Sequence, residues 1–359
     1  MLSGPSASSL NKRLEKARRE PSVVMLNEEA LKESATKVKN CLCFGVKDTD
    51  RFPRSLFKKV RVDERFLWLT VDRMADKGRS IDTGLVNPLT YRPMTGSTSG
   101  GPLNILLGIN DFALGTDGGG SVLAPALSCQ LPSFVGAGLG LYADGEPATS
   151  TDGLAISPSI GVVAKSLSEV MQVAVAMYGE PLPPTEKRRL KVALPEKGCL
   201  STPTGQDMNG KLQPFIEGLK NVYDFQTFDM ADAEDRKQGV SICRKCFEEG
   251  CDLILTYEGP VDVLGYGETI PAAFGGIGSD LTRRAGKYLL KAANPFGATA
   301  LTVPSGELAS GFVILAAPGT AAASGAFALA EDLSRQVVLP EVFVRYFLTE
   351  ERLRTGFHP

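Results

Sequence analysis

Two glycine-rich loops that carry serines, together with one lysine, are the residues of this chain whose types and spacing suit bond-breaking chemistry. Gly115-Thr116-Asp117-Gly118-Gly119-Gly120-Ser121 places a hydroxyl directly after three residues without side chains. Successive backbone N–H groups of Gly118, Gly119, Gly120 and Ser121 can form a concave donor nest for a developing negative charge. Side chains there would obstruct a substrate's approach. A second loop, Gly96-Ser97-Thr98-Ser99-Gly100-Gly101, puts Ser97 24 residues before Ser121. Lys47 ends the apolar run Leu42-Cys43-Phe44-Gly45-Val46. Burial at such a place lowers a lysine pKa, and an uncharged amine is a base. The single histidine, His358, is the second-last residue. A Ser-His-Asp or Cys-His mechanism needs a buried, oriented imidazole, so any hydrolytic base must be something else.

Other readings of these residues are weaker on chemical grounds. The triple glycine lacks the lysine of a phosphate-binding P-loop and the spacing of a dinucleotide fingerprint. Cys243 and Cys246, with Cys251 nearby, could suggest zinc, but no fourth ligand is close and core packing is expected. Cys41 and Cys43 read as strand packing. Asp262 and Glu268 could be paired carboxylates, but in a Gly/Pro-rich loop they are expected to be solvated. No metal or cofactor is called for.

The lysine after a strand, the Gly-Ser loop and the Gly-Thr-Asp loop, in this order and at this spacing, resemble the amidase signature family. Leu26 to Leu31 looks like that family's N-terminal helix, and Pro125-Ala126 and Cys129 follow the serine as its members have them. Gly161 to Ser166 and Asn294 to Pro304 are similar to its later segments, so the resemblance covers roughly residues 20 to 335. It implies an α/β fold with a large mixed sheet covered by helices on both faces. It also implies Ser121 as nucleophile, Ser97 as proton relay after a cis Gly96–Ser97 bond, and Lys47 as base. Gly118, Gly119 and Gly120 would form the oxyanion hole, with Thr98 and Asp117 in support. Ser99 is the alternative to Ser97, and the 24-residue spacing favours Ser97. The sequence departs from the family at Leu123, where an arginine is usual, and in a shortened stretch between Lys47 and Ser97.

The elements that must position these groups follow from periodicity. Residues 8 to 40 have a helical apolar pattern, Cys41 to Val46 reads as a buried strand, and residues 50 to 75 read as a loop followed by a helix. Short elements are expected at Leu103 to Leu107 (helix) and Phe112 to Leu114 (strand), and residues 133 to 150 read as glycine-rich connection. Ser166 and Glu169 have capping-box spacing for a helix over Leu167 to Met177. Strands at Leu190 to Leu194, Asp252 to Thr256, Ala300 to Val303 and Gly311 to Ala316 alternate with helices at 209 to 222, 238 to 250, 280 to 293 and 320 to 335. Such alternation indicates an α/β architecture. The expected organisation is an extension over residues 1–20 and one domain over 21–359.

Composition narrows the function classes. Hydrophobic residues at 43% and charged residues at 22% allow a large core. A formal charge of −2 without a basic stripe gives no reason to expect nucleic acid or an anionic membrane as partner. Seven scattered cysteines do not make a disulfide framework, and a reducing cytoplasmic setting is the default. The leading expectation is hydrolysis of a small-molecule carboxylic amide through an acyl-enzyme. A glutaminase of amidotransferase type, working with a partner subunit, and an inactive amidase-like scaffold are the alternatives. A homodimer is compatible with all three. Glutaminase activity that rises on adding a partner would mark the second, and failure of Ser121 to react with a fluorophosphonate would mark the third.

Overall fold

The computed structural model describes residues 6–150, 153–185, 188–267 and 274–349. Its apolar runs form strands buried on both faces, as expected where helices cover a sheet on each side. The strands, in chain order, are β1 (Val23–Leu26), β2 (Leu42–Lys47), β3 (Phe66–Asp72), β4 (Ile81–Val86), β5 (Pro93–Thr95), β6 (Phe112–Asp117), β7 (Ser133–Gly136), β8 (Ala148–Thr149), β9 (Ala155–Ile156) and β10 (Ser159–Ala164). They continue with β11 (Leu190–Pro195), β12 (Tyr223–Phe228), β13 (Leu253–Glu258), β14 (Thr299–Pro304) and β15 (Gly311–Ala316). Eleven of them make one sheet in the order β1-β3-β2-β6-β10-β7-β14-β15-β13-β11-β12. β2 runs parallel to both β3 and β6, while β10 pairs antiparallel with β6 and β7. The sheet is therefore mixed, and β2 and β6, which lead into Lys47 and the Ser121 loop, lie side by side within it.

The helices used below are α1 (Ala7–Ala17), α2 (Ala30–Glu33), α3 (Arg54–Val62), α4 (Gly100–Leu106), α5 (Leu123–Ser128), α6 (Leu167–Tyr178), α7 (Met208–Ile216) and α8 (Arg236–Glu248). α6 starts on the anticipated capping box, with Ser166 Oγ accepting from Glu169 N–H and the Glu169 carboxylate accepting from Ser166 N–H. One continuous cluster of buried side chains spans the sheet and includes Phe44 stacked on Phe112 at 5.0 Å between ring centroids. A second, smaller cluster joins Leu10 and Leu14 of α1 to Cys43, Leu67 and Leu69. The residues read as an N-terminal extension thus contribute a helix that packs on the sheet. Arg13 pairs with Asp111 at 3.1 Å, and Lys165 pairs with the same carboxylate. Those two cations hold the Asp111 carboxyl below its usual range despite its burial.

Several sequence expectations change. Residues 8 to 40 are not one helical stretch, because the edge strand β1 separates α1 from α2. In residues 50 to 75 the helix α3 comes first and the strand β3 second. The β-rich run Phe66 to Asp72 is buried on both faces, so it shows no alternation and cannot be told from a helix by period. The glycine-rich segment 133 to 150 contains β7, a central strand. Residues 280 to 293 are not one helix: an α-helix ends at Arg283 and a second short one begins at Ala293. Asp262 is not solvated but buried against Lys287, 2.5 Å away. Glu268 and His358 lie outside the described residues. Cys41, Cys43, Cys243, Cys246 and Cys251 are buried free thiols. Among the described residues no cluster of His, Cys, Asp or Glu could hold a metal ion, and no helix is long and apolar enough to cross a membrane.

Candidate active site

Lys47 is the last residue of β2, and its side chain is 4% exposed. Its Nζ lies 2.7 Å from Ser97 Oγ, 2.8 Å from Thr116 Oγ1 and 3.1 Å from Thr116 O. Burial pushes the Lys47 pKa down to about 7, against a smaller upward pull from Asp117. The three oxygens match the valence of the amine in both of its states. A neutral amine donates two hydrogens to Thr116 and offers its lone pair to the Ser97 hydroxyl, and an ammonium donates to all three. A proton can therefore arrive at Nζ with no rearrangement of its neighbours.

The Ser97 loop is fixed by its backbone and by Ser99. Ala75 N–H donates to Ser97 O at 3.1 Å, and Thr98 N–H donates to Ser121 O at 3.2 Å, which ties the two serine loops together. Ser99 Oγ donates to Asp82 at 2.7 Å rather than to Lys47, so Ser97 is the serine that faces the amine. Asp82 also takes a two-pronged contact from Arg73, at 3.0 and 3.1 Å. The chain reverses at Gly96 through a left-handed φ of +72°, where a Cβ would meet Pro125 Cδ at 2.5 Å. The implied cis Gly96–Ser97 bond is not found. Among the described residues the cis peptide is Gly259–Pro260, and the left-handed glycine makes the turn instead.

Ser121 follows β6, and Gly118, Gly119 and Ser121 itself are partly exposed. Asp117, fully buried at the end of β6, organises this loop by accepting from Gly120 N–H at 2.6 Å, Val122 N–H at 2.6 Å and Leu123 N–H at 3.2 Å. Leu123, the position at which the sequence departs from the pattern it resembles, is buried in the core, and its N–H donates to Asp117. One expected oxyanion donor is thereby committed elsewhere: Gly120 N–H points to Asp117. Among the described residues the N–H groups of Gly118, Gly119 and Ser121 have no acceptor, and the Ser121 hydroxyl makes no hydrogen bond, Ser97's included. Gly120 has φ +94°, and a Cβ there would lie 2.5 Å from Leu290 Cδ1. Leu290 is held in place by Glu258, which accepts from the N–H groups of Tyr288 and Leu290 at 2.7 and 3.1 Å. Arg236, at the start of α8, lies along Gly119, with Cζ 3.3 Å from where its Cβ would be.

Thr98 does not join the hydroxyl network. Its side chain packs where Gly115 leaves room, 2.6 Å from the Cβ that position lacks, and its hydroxyl has no partner. Thr116, for which no role was expected, takes the place expected of Thr98, with both of its oxygens on Lys47. Thr116 stands inside the Gly-Thr-Asp run, so that run contained the signal. Asp82, Arg73 and Glu258 are supporting residues that no motif marked.

No protein-family model matches the chain, and no curated protein matches it in sequence. Solved structures do match in shape. An amidase structure superposes with a TM-score of 0.64 at 15% identity, covering 92% of this chain and 96% of that one. The chain has the amidase signature fold. A peptide amidase, solved with the competitive inhibitor chymostatin, gives a TM-score of 0.64 at 13% identity over 93% of this chain and 95% of that one. Allophanate hydrolase of Kluyveromyces lactis gives 0.64 at 15% identity over 91% and 69%. At these identities the likeness speaks to the fold, and within the amidase signature fold the chemistry has to be argued from the residues themselves.

Proposed function

We propose that this chain hydrolyses carboxylic amides through an acyl-enzyme. The observation that carries the reading is Lys47: a buried amine, its pKa near 7, in contact with Ser97 Oγ and otherwise enclosed by Thr116. Most lysines reach solvent, and a buried one with a lowered pKa inside a serine-lined site suits a base.

The course of the reaction follows from the positions. Ser121 Oγ attacks the amide carbon, its proton passes to Ser97 Oγ, and the Ser97 proton passes to Lys47 Nζ. The Ser97–Ser121 hydrogen bond forms in the substrate complex, since catalytic hydrogen bonds commonly tighten only with substrate present. The carbonyl oxygen, now an oxyanion, takes hydrogen bonds from the N–H groups of Gly118, Gly119 and Ser121. Each such donor typically accounts for about 3 kcal/mol of barrier. When the tetrahedral intermediate collapses, the C–N bond breaks and the leaving amine collects the proton back along Ser97. Water then enters, gives its proton to the same relay, and releases the carboxylic acid with Ser121 restored. Asp117 holds the loop so that these N–H groups point to one place.

A screen of primary, secondary and aryl amides against the wild-type protein and Ser121→Ala tests the reading. Turnover of at least one class by wild type and none by the variant is expected. Equal turnover by both would overturn it.

A further inference from the structure

Three buried side chains that take no part in the relay meet two residues upstream of Ser97. Thr95 ends β5, Asp262 lies in the loop after β13, and Lys287 stands just before Tyr288. The Thr95 hydroxyl accepts from Lys287 Nζ at 2.8 Å and donates to Asp262 Oδ2. Lys287 Nζ reaches the same carboxylate oxygen at 2.5 Å. A hydroxyl has one hydrogen to give, and here both its donor and an acceptor direction are taken, so the Thr95 side chain is fixed in rotation. Gly267 lies against the cation: a Cβ there would fall 2.8 Å from Lys287 Nζ.

Stability does not account for this arrangement. Burying an ion pair costs about what the attraction of its charges returns, and apolar replacements are often neutral or stabilising. Among the described residues Asp262 Oδ1 has no partner, so the carboxylate is held through Oδ2 alone. The Asp262 backbone is left-handed, with φ +55°, a conformation that residues with side chains adopt at a cost. It is kept there by Asp262 N–H donating to Ala285 O at 2.9 Å and Val261 N–H donating to Ala309 O at 2.8 Å. Strain of this kind concentrates where geometry matters to function.

The three side chains hold the entry to the Ser97 loop. Gly96 alone separates Thr95 from Ser97, at φ +72°, and its N–H donates to Ser80 O at 2.6 Å. Glycine permits a wide range of torsions, so Ser97 is aimed only if the residue before that glycine is fixed. Beyond Ser97 the loop is tied by Ala75 N–H to Ser97 O and by Thr98 N–H to Ser121 O, before the chain enters α4. We propose that Asp262 and Lys287 are positioning residues for the Ser97 relay: by gripping the Thr95 hydroxyl they fix the direction from which Ser97 Oγ meets Lys47 Nζ, 2.7 Å away.

This inference rests on Ser97 relaying the Ser121 proton, and the test separates the two. The rate of fluorophosphonate labelling of Ser121 is measured for wild type, Thr95→Val, Thr95→Ser and Asp262→Asn, each also combined with Ser97→Ala. Thr95→Val leaves the Asp262–Lys287 pair intact and removes only the hydroxyl it grips. It should slow labelling about 10-fold or more, and Thr95→Ser should restore most of the rate. With Ser97→Ala already present, Thr95→Val should slow labelling no further, because the group it misplaces is gone. Asp262→Asn should behave as Thr95→Val does, and it serves if Thr95→Val does not fold. Labelling as fast as wild type in Thr95→Val, or a loss of equal size with and without Ser97, would overturn the inference and leave the relay standing. Ser97→Ala that labels as fast as wild type, or wild type that does not label, would overturn the relay and the inference with it.

Discussion

Thr116 holds Lys47 Nζ with two atoms at once, its hydroxyl at 2.8 Å and its carbonyl at 3.1 Å, which leaves the amine's third direction for Ser97. The carbonyl belongs to β6 and survives any side-chain change. Thr116→Val should therefore leave Lys47 in place with one N–H unsatisfied. The expected result is a kcat lowered about 10-fold with KM little changed. Thr116→Ser should restore most of the rate.

The pH profile should follow the amine. With its pKa near 7, Lys47 loses its proton across neutrality, so kcat/KM should rise through about pH 7 and level off above it. A profile flat from pH 5 to 9 would contradict a lysine base.

Keeping Lys47 uncharged has a stability cost with a definite sign. Its folded pKa is about 7, below its unfolded value of 10.5, so the unfolded chain binds more protons between those limits. Its contribution to stability is most unfavourable below about pH 7 and is relieved as pH rises toward 10.5. Lys47→Met should lower kcat by about 10²- to 10⁴-fold. At pH 6 it should also stabilise the fold by a few kcal/mol, roughly. The difference in Tm between variant and wild type should shrink at pH 10.

Asp117 is predicted to matter through the backbone. Asp117→Ala removes the acceptor of three N–H groups in the Ser121 loop. The expected loss is about 100-fold or more in kcat, since a loop free to relax no longer aims its donors. Asp117→Asn, which keeps one acceptor oxygen, should retain more activity. Circular dichroism of both variants would verify that the sheet persists.

Gly45 should not tolerate a methyl group. A Cβ there would meet the Asp72 carboxylate at 2.1 to 2.5 Å, and that carboxylate is hemmed in by Asn104 and Thr70. Gly45→Ala should destabilise the protein by about 1–3 kcal/mol in chemical denaturation.

The sequence made the central geometry legible because its parts are local: a lysine closing an apolar strand, and two loops whose glycines limit what can sit beside them. The neighbouring strands β2 and β6 put Lys47 on Thr116, and the Thr98 N–H bond to Ser121 O brings the Ser97 loop to the same place. What it could not convey was long-range or direction-dependent. Asp82, an acid in an unremarkable stretch, steadies Ser99 only because β4 folds back onto the Ser97 loop. Thr98 and Thr116 are both hydroxyls near the serines, and only the direction of each side chain decides which one reaches the amine. Gly120 looked like a donor, but its N–H is turned to Asp117 by a backbone torsion no composition reveals. The strands β3 and β7 were hidden because burial on both faces erases the alternation by which a strand is recognised.

The most direct test of the account is the mass of the intact protein after reaction with a fluorophosphonate at pH 8, with the modified residue located by peptide mapping. A single adduct on Ser121, formed rapidly in wild type and at least about 100-fold more slowly in Lys47→Met, is the expected result. An adduct on another residue, or equal rates in the two proteins, would contradict a serine nucleophile served by the buried amine.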